Sequence, residues 1–325
     1  MEIIQGVLSN FFPFLMSILL TIIPTAGLEA PVLRTEQADC LLNMELLSDL
    51  HFAENEWVRP AFLKRGLKNL NKSQSAIDGV LICGDITDKG DTASVDRFFR
   101  LYEQYSPVQN LILATGNHDI GYVEDRGHDA VRDYLISSYN QYAGTSFDKI
   151  YYSLEINGYK FIVLSDEGET WDSLTLSQVQ LDFLDTELAD GTKDGKPVFV
   201  CCHWPVDGTN GENVVWDHSG LYLDEWDVKS ICEKYKNVFW ISGHIHSGIK
   251  STLVGEKYGL KSAEQINGVT YINLPTFGVV NLYGLPWSGT GAQLEVYENE
   301  VVFRPRNLLT NTWYTGAACR FEIVK

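Results

Sequence analysis

The chain has 325 residues, of which 45% are hydrophobic and 12% aromatic, enough to bury the core of one large domain or two small ones. That composition excludes a disordered or fibrous protein. A formal net charge of -18, with no local basic patch to offset it, repels a phosphate backbone and excludes sequence-independent nucleic-acid binding.

The first element is the nearly uncharged run VLSNFFPFLMSILLTIIP at 7–24, followed by the small residues of TAGLEA. It reads as a secretory signal with cleavage after Ala26 or Ala30, as an uncleaved N-terminal membrane anchor, or as a buried segment. The opening MEIIQG carries Glu2 and none of the Lys or Arg that a signal usually places there. The expectation is an extracellular protein, or one anchored to a membrane and facing outside. Residues 1–30 then stand apart from a folded domain over 41–325. Of the six cysteines, Cys83, Cys201 and Cys202 lie in apolar runs, as buried thiols do, and no disulfide is predicted.

Five short apolar runs follow, each ending in side chains able to coordinate a metal. LLNMELLS at 41–48 leads to Asp49 and His51, and GVLICG at 79–84 to Asp85. LILATG at 111–116 leads to Asn117, His118 and Asp119, PVFVCC at 197–202 to His203, and NVFWISG at 237–243 to His244 and His246. Runs so rich in β-branched and aromatic residues predict strands buried on both faces. Between them, 91–105 reads as a helix capped by Asp91 or Thr92, and 175–188 as one opened by the capping box Thr175-x-x-Gln178. The alternation predicts an α/β fold with a mainly parallel sheet. Loops at the carboxyl ends of such strands converge, so the five motifs are expected to form one site.

The tail changes character. Segments 268–277, 291–305 and 318–325 read as strands, the middle one a hairpin turning at Glu298-Asn299-Glu300, so the part beyond about 266 is expected to be β-rich and to extend or back the first sheet. No repeat, linker or domain boundary is visible after about residue 40.

Imidazole, carboxylate and amide ligands without a thiolate suit manganese, iron, zinc or nickel rather than a structural Cys-rich zinc site. Seven ligands exceed the needs of one tetrahedral ion. Two ions about 3.5 to 4 Å apart, sharing a carboxylate, would use them all.

In that order, Asp49-x-His51, Gly84-Asp85, Gly116-Asn117-His118-Asp119, His203 and Gly243-His244-x-His246 resemble the signature of the calcineurin-like metallophosphoesterase family over about residues 42–280. Each motif alone is common at turns; the ordered set is specific, and it takes in five of the seven histidines. The resemblance implies a two-sheet β-sandwich flanked by helices, with a dinuclear site at the strand ends. It puts Asp49, His51, Asp85 and His246 on one metal ion, and Asp85, Asn117, His203 and His244 on a second. His118 would reach the phosphate or the leaving-group oxygen, and Asp119 would hold its ring. The implied reaction is direct hydrolysis of a phosphoester by a metal-bound hydroxide, with two divalent or trivalent ions (Mn, Fe or Zn) as cofactors. The glycines also serve a plainer purpose, the tight turns at strand ends.

Within the family, purple acid phosphatases place Tyr three residues after the bridging Asp, where this chain has Asp88. GDITDKG is more similar to the cyclic-nucleotide phosphodiesterase-like branch. His203 is followed by Trp204, where many relatives carry a second His. The long polar and aromatic stretch 203–226 is expected to face the substrate through Trp204, Trp216, His218 and Tyr222, and His128 to lie on an exposed loop or the substrate rim. Asp166 reads as a strand-end turn or a support of the site, and the glycine-rich 288–293 as a turn. A phosphodiesterase acting on a small-molecule or lipid-head-group phosphoester is the leading expectation. A phosphatase on the same site, a nuclease and a non-catalytic binding module are the alternatives.

Overall fold

The computed structural model describes residues 28–29, 39–72, 76–121, 126–169, 174–210, 225–246, 262–278, 289–314 and 319–325. They form fourteen strands: β1 (Leu28–Glu29), β2 (Leu42–Leu47), β3 (Gly79–Cys83), β4 (Leu111–Ala114), β5 (Tyr152–Ile156), β6 (Tyr159–Val163), β7 (Val198–Cys201), β8 (Val238–Ser242), β9 (Ala263–Ile266), β10 (Val269–Asn273), β11 (Thr290–Val296), β12 (Glu300–Asn307), β13 (Thr312–Tyr314) and β14 (Cys319–Glu322). The helices are α1 (Val58–Asn69), α2 (Thr92–Tyr105), α3 (Asn117–Ile120), α4 (His128–Ala143), α5 (Gln178–Thr192) and α6 (Glu225–Cys232).

All five apolar runs are strands, but they divide between two mixed sheets rather than sharing one. The first sheet runs β1-β13-β12-β11-β2-β3-β4, with β14 also on β12, and the second runs β5-β6-β7-β8-β10-β9. Strands β2, β3 and β4 are mutually parallel, as are β6, β7, β8 and β10. The tail splits as well: β10 closes on β8, whereas the β11–β12 hairpin pairs antiparallel with β2. Its turn lies where the sequence places it, with the Tyr297 amide donating to the Glu300 carbonyl at 2.9 Å.

Alternation along the strands builds the layers. Phe161, Val163, Phe199, Cys201, Phe239 and Ile241 point toward the first sheet, while Ile162, Val198, Val200, Val238 and Trp240 pack with Leu181, Leu184 and Leu188 of α5. Helices α1 and α2 contribute Leu63, Leu67, Phe98 and Tyr102 to the core that contains the first sheet. The result is an α/β molecule of two facing sheets flanked by helices. Buried Cys83 and Cys201 meet between the sheets, sulfur to sulfur at 3.3 Å.

Asp91 caps α2, its side chain accepting from the Ser94 amide at 2.8 Å. The cap of α5 is Ser177 and not Thr175, whose amide instead donates to Asp166 at 2.6 Å, drawing that residue into the loop after β6. Asp166 also accepts from the Gly168 amide at 3.0 Å and is therefore a turn residue.

The expectation of an extracellular or membrane-anchored protein is corrected. Among the described residues no helix is long and apolar enough to cross a membrane. The longest, α4, has 16 residues where a span needs about 20, and its apolar stripe (Val131, Leu135, Tyr139) is already buried in the core. The apolar run at 7–24 lies outside the described residues.

Candidate metal centre

The seven sequence-predicted ligands lie just beyond the carboxyl ends of β2, β3, β4, β7 and β8, so both sheets contribute to one site at their shared edge. Main-chain bonds lock these loops together. The Asp49 amide donates to the Gly84 carbonyl at 3.1 Å, the His51 amide to the Asp85 carbonyl at 2.9 Å, and the Gly243 amide to the His203 carbonyl at 2.9 Å. The space between them has no room for a side chain at Gly116, where a Cβ would collide with the Asp85 carboxylate. At Gly84, with φ +83°, a Cβ would stand 2.5 Å from the His203 ring.

Asp49, His51, Asp85, His244 and His246 all have positive φ, between 50° and 69°. Every other described non-glycine residue with positive φ is an asparagine, which tolerates this region. Among the described residues, backbone strain outside glycine and asparagine is thus confined to positions predicted as ligands, the kind of clustering seen at functional sites.

His246 Nε2 lies 3.0 Å from Asp49 Oδ1 and 3.0 Å from His51 Nε2, and His51 Nε2 lies 3.6 Å from Asp85 Oδ2. These four residues offer ligand atoms within 4.8 Å of one another. Asp85 Oδ2 also lies 3.3 Å from His203 Nε2, and His244 Nδ1 lies 3.0 Å from the Asn117 amide oxygen. Asp85 therefore stands between the two groups. The far nitrogen of His203 is held by the Cys83 carbonyl at 2.7 Å, which aims Nε2 into the cage.

Metal ions fit this donor set. Both carboxylate oxygens of Asp49 and Nε2 of His203 are buried without a hydrogen bond, and two bare imidazole nitrogens face each other at 3.0 Å. Buried carboxylate oxygens and imidazole nitrogens crowded together in this way call for cations. Charges already compensate in part. Burial works against the Asp85 carboxylate, yet His203 and His51 hold it well below the usual range. Burial also opposes the His203 imidazolium, but Asp85 and Asp49 raise its pKa to about 10. Burial and the neighbouring His203 lower His244 to about 3, leaving it neutral and ready to ligate.

His118 sits at the mouth of the cage, half-buried, its amide donating to Asp85 Oδ1 at 2.9 Å. The expected role of Asp119 is corrected. The Asp119 carboxylate accepts from the amides of Ile86, Thr87 and Gly116 and from the Thr87 hydroxyl, at 2.8 to 3.2 Å, and so ties the loop after β3 to that after β4. The His118 ring is instead held at Nδ1 by the backbone carbonyl of Asp88, 3.0 Å away. Four capturable donors around a strand-end carboxylate outcompete one ring.

The expectation that Trp204 faces the substrate is corrected: it is 1% exposed, its ring buried beside those of His203 and His244. Trp216, His218 and Tyr222 lie outside the described residues. His128 opens α4 with Nδ1 on the Ile120 carbonyl at 3.0 Å. Sequence reasoning missed Arg59, which donates to the His51 carbonyl and lies 3.6 Å from Asp88 Oδ1. No motif marks a residue of the following helix that folds back.

A sequence model of the family described as calcineurin-like phosphoesterase matches residues 46–248. The chain is 26% identical over 204 residues to a cAMP/cGMP dual specificity phosphodiesterase of Mycobacterium tuberculosis, a match covering 61% of this chain and 57% of that relative. The chain thus spans little more than half the length of that protein. Its fold is similar to the crystal structure of a dimetal phosphatase from Danio rerio, with a TM-score of 0.63 and 16% identity, covering 88% of this chain and all of that one.

Proposed function

Because the chain belongs to the calcineurin-like phosphoesterase family, which its sequence matches over well more than half of its length, we propose that it is a two-metal phosphodiesterase for small-molecule or lipid-head-group phosphoesters. The observation that carries the reading is the buried convergence of carboxylate oxygens and ring nitrogens, Asp49 and His203 foremost, with Asp85 between them. Asp49, His51, Asp85 and His246 would hold one ion, and Asp85, Asn117, His203 and His244 the other. Manganese, iron and zinc suit these nitrogen and oxygen donors. Two such ions would supply Lewis-acid stabilisation of the phosphoryl oxygens and an activated water near neutral pH.

The protein's own groups do the rest. His118, half-exposed and fixed at Nδ1, presents Nε2 to the developing charge or to the leaving-group oxygen as a general acid. Buried walls around Asp49, Asp85 and His203 exclude water and strengthen each electrostatic contact. Trp216, His218 and Tyr222 are the proposed substrate contacts, with Trp204 supporting the cage from behind.

Preference for a diester is favoured by Asp88 in GDITDKG, where purple acid phosphatases carry Tyr, and by the similarity to the mycobacterial phosphodiesterase. The test is hydrolysis of bis-p-nitrophenyl phosphate beside p-nitrophenyl phosphate after manganese loading, with a chelated control. A chelator-sensitive preference for the diester supports the reading; preference for the monoester replaces it with a phosphatase. A protein that binds metal but hydrolyses neither compound would have to be read as a binding module.

A further inference from the structure

We infer that Asp88 is a positioning residue that serves both halves of the site at once: its carboxylate sets the ring of His51 for the first ion, and its backbone carbonyl sets the ring of His118. The inference rests on the reading of the cage as a two-ion site.

His51 can give a lone pair from Nε2 only if its proton resides on Nδ1. Nε2 is the nitrogen turned inward, 3.0 Å from His246 Nε2 and 3.6 Å from Asp85 Oδ2. Nδ1 is turned outward, 3.5 Å from Asp88 Oδ1. A carboxylate there keeps the proton on Nδ1, fixes the ring plane and makes Nε2 a stronger donor to a metal.

The placement of Asp88 is over-determined. Its amide donates to the Phe52 carbonyl at 2.6 Å, and Phe52 bridges Thr87 in parallel register, so the loops after β2 and β3 advance side by side. Arg59 adds a second tie, gripping the His51 carbonyl while its guanidinium lies 3.6 Å from Asp88 Oδ1. The guanidinium thus clamps the side chain of one residue to the backbone of the other. Burial works to raise the Asp88 carboxyl, but His51 and Arg59 hold it below the ordinary carboxylate range, which keeps it a charged acceptor.

The carbonyl of the same residue lies 3.0 Å from His118 Nδ1. A carbonyl can only accept, so Nδ1 of His118 carries a proton and the ring orientation is fixed from that side. The His51 and His118 rings meet edge to face with centroids 4.4 Å apart. One residue thereby sets the tautomers of a ligand and of the group at the mouth of the site. Side-chain substitution removes the carboxylate, which also lies 3.9 Å from His118 Nδ1, and leaves the carbonyl that holds the ring at 3.0 Å.

The experiment is metal analysis of full-length wild type, Asp88→Ala and Asp88→Asn after equilibrium dialysis against graded manganese, with circular dichroism to check the fold. Wild type is expected to hold two ions. Asp88→Ala should bind one ion as wild type does and the other about 10- to 100-fold more weakly. Asp88→Asn should fall between, since its amide oxygen still accepts from Nδ1. A structural lesion would weaken both ions, and an intact first ion in a folded Asp88→Ala overturns the inference. If Asp88→Ala fails to fold, wild-type affinity in Asp88→Asn overturns it instead. Three ions per wild-type chain would also overturn it, by making Asp88 a ligand together with His51 and His118, which gather within 4.8 Å. A wild type that binds no ion removes the two-ion reading, and the inference with it, before any variant is compared.

Discussion

His118 and His203 have opposite chemical situations within one cage. His118 is half-exposed at the mouth with Nδ1 tied to a carbonyl, so its removal should cost catalysis and not metal. His118→Asn is expected to lower kcat by about 10²–10⁴-fold with two ions still bound, as kinetics and metal analysis on the same sample would show. His203 is fully buried between Asp85 and Asp49, which keep it protonated in the metal-free protein up to about pH 10 despite the cost of burial. Its Nε2 must lose that proton to ligate. Metal loading at pH 7–8 should therefore release a proton, and apparent affinity should rise by about tenfold per pH unit below pH 10. Calorimetry in buffers of differing ionisation enthalpy would detect it; affinity independent of pH would exclude it. That the seven predicted ligands gather in one place was legible in the sequence, because each follows the carboxyl end of a buried strand. The orienting contact was not. Asp119 stood next to His118 in the chain, but orientation depends on which loops meet in space, and there Asp88 arrives first.

At the level of elements, the strands of the first sheet carry an unusual burden away from the site. Glu45 of β2 and Arg306 of β12 form a fully buried ion pair, Oε2 to Nη2 at 3.2 Å, with Gln293 of β11 in register beside Glu45. Burial raises the Glu45 carboxyl to about 7 even though Arg306 opposes it. A folded-state pKa above the unfolded value means that the folded chain holds the proton longer. Stability contributed by this group is accordingly greatest at acid pH and declines as pH rises through about 7. Arg306→Met leaves the carboxyl unpaired and should destabilise the fold by about 3–5 kcal/mol. The loss should be larger at pH 8 than at pH 5, where Glu45 can stay neutral; urea titrations at the two values test this, and a loss independent of pH refutes it. The strands themselves were readable from their apolar runs, as was Asp91 as the cap of α2. The start of α5 was not, because Thr175 satisfies a cap pattern but is claimed by Asp166, a partner nine residues away.

For the whole molecule, the division of the five strands between two sheets decides how metal and stability are linked. The sequence showed that the strand ends converge but not that β2, β3 and β4 face β7 and β8 across a core, since periodicity specifies a strand's faces and not its neighbours. Asp49, His51, Asp85 and Asn117 come from the first sheet, and His203, His244 and His246 from the second. Ions held by this set would therefore cross-link the two halves of the sandwich. They would also neutralise buried carboxylates and offset the backbone strain at the five left-handed positions around the site. Because an unfolded chain cannot assemble ligands so far apart in sequence, loading must stabilise the fold, by about 2.7 kcal/mol for each ion present at a hundred times its dissociation constant. Thermal unfolding of the manganese-loaded protein should occur several degrees above that of the chelated protein. The difference should shrink in His246→Ala, which removes a ligand that only the second sheet supplies to the first ion. An unfolding temperature insensitive to manganese and chelator would mean that the two sheets are held by their apolar faces alone and that the cage does not bind across them.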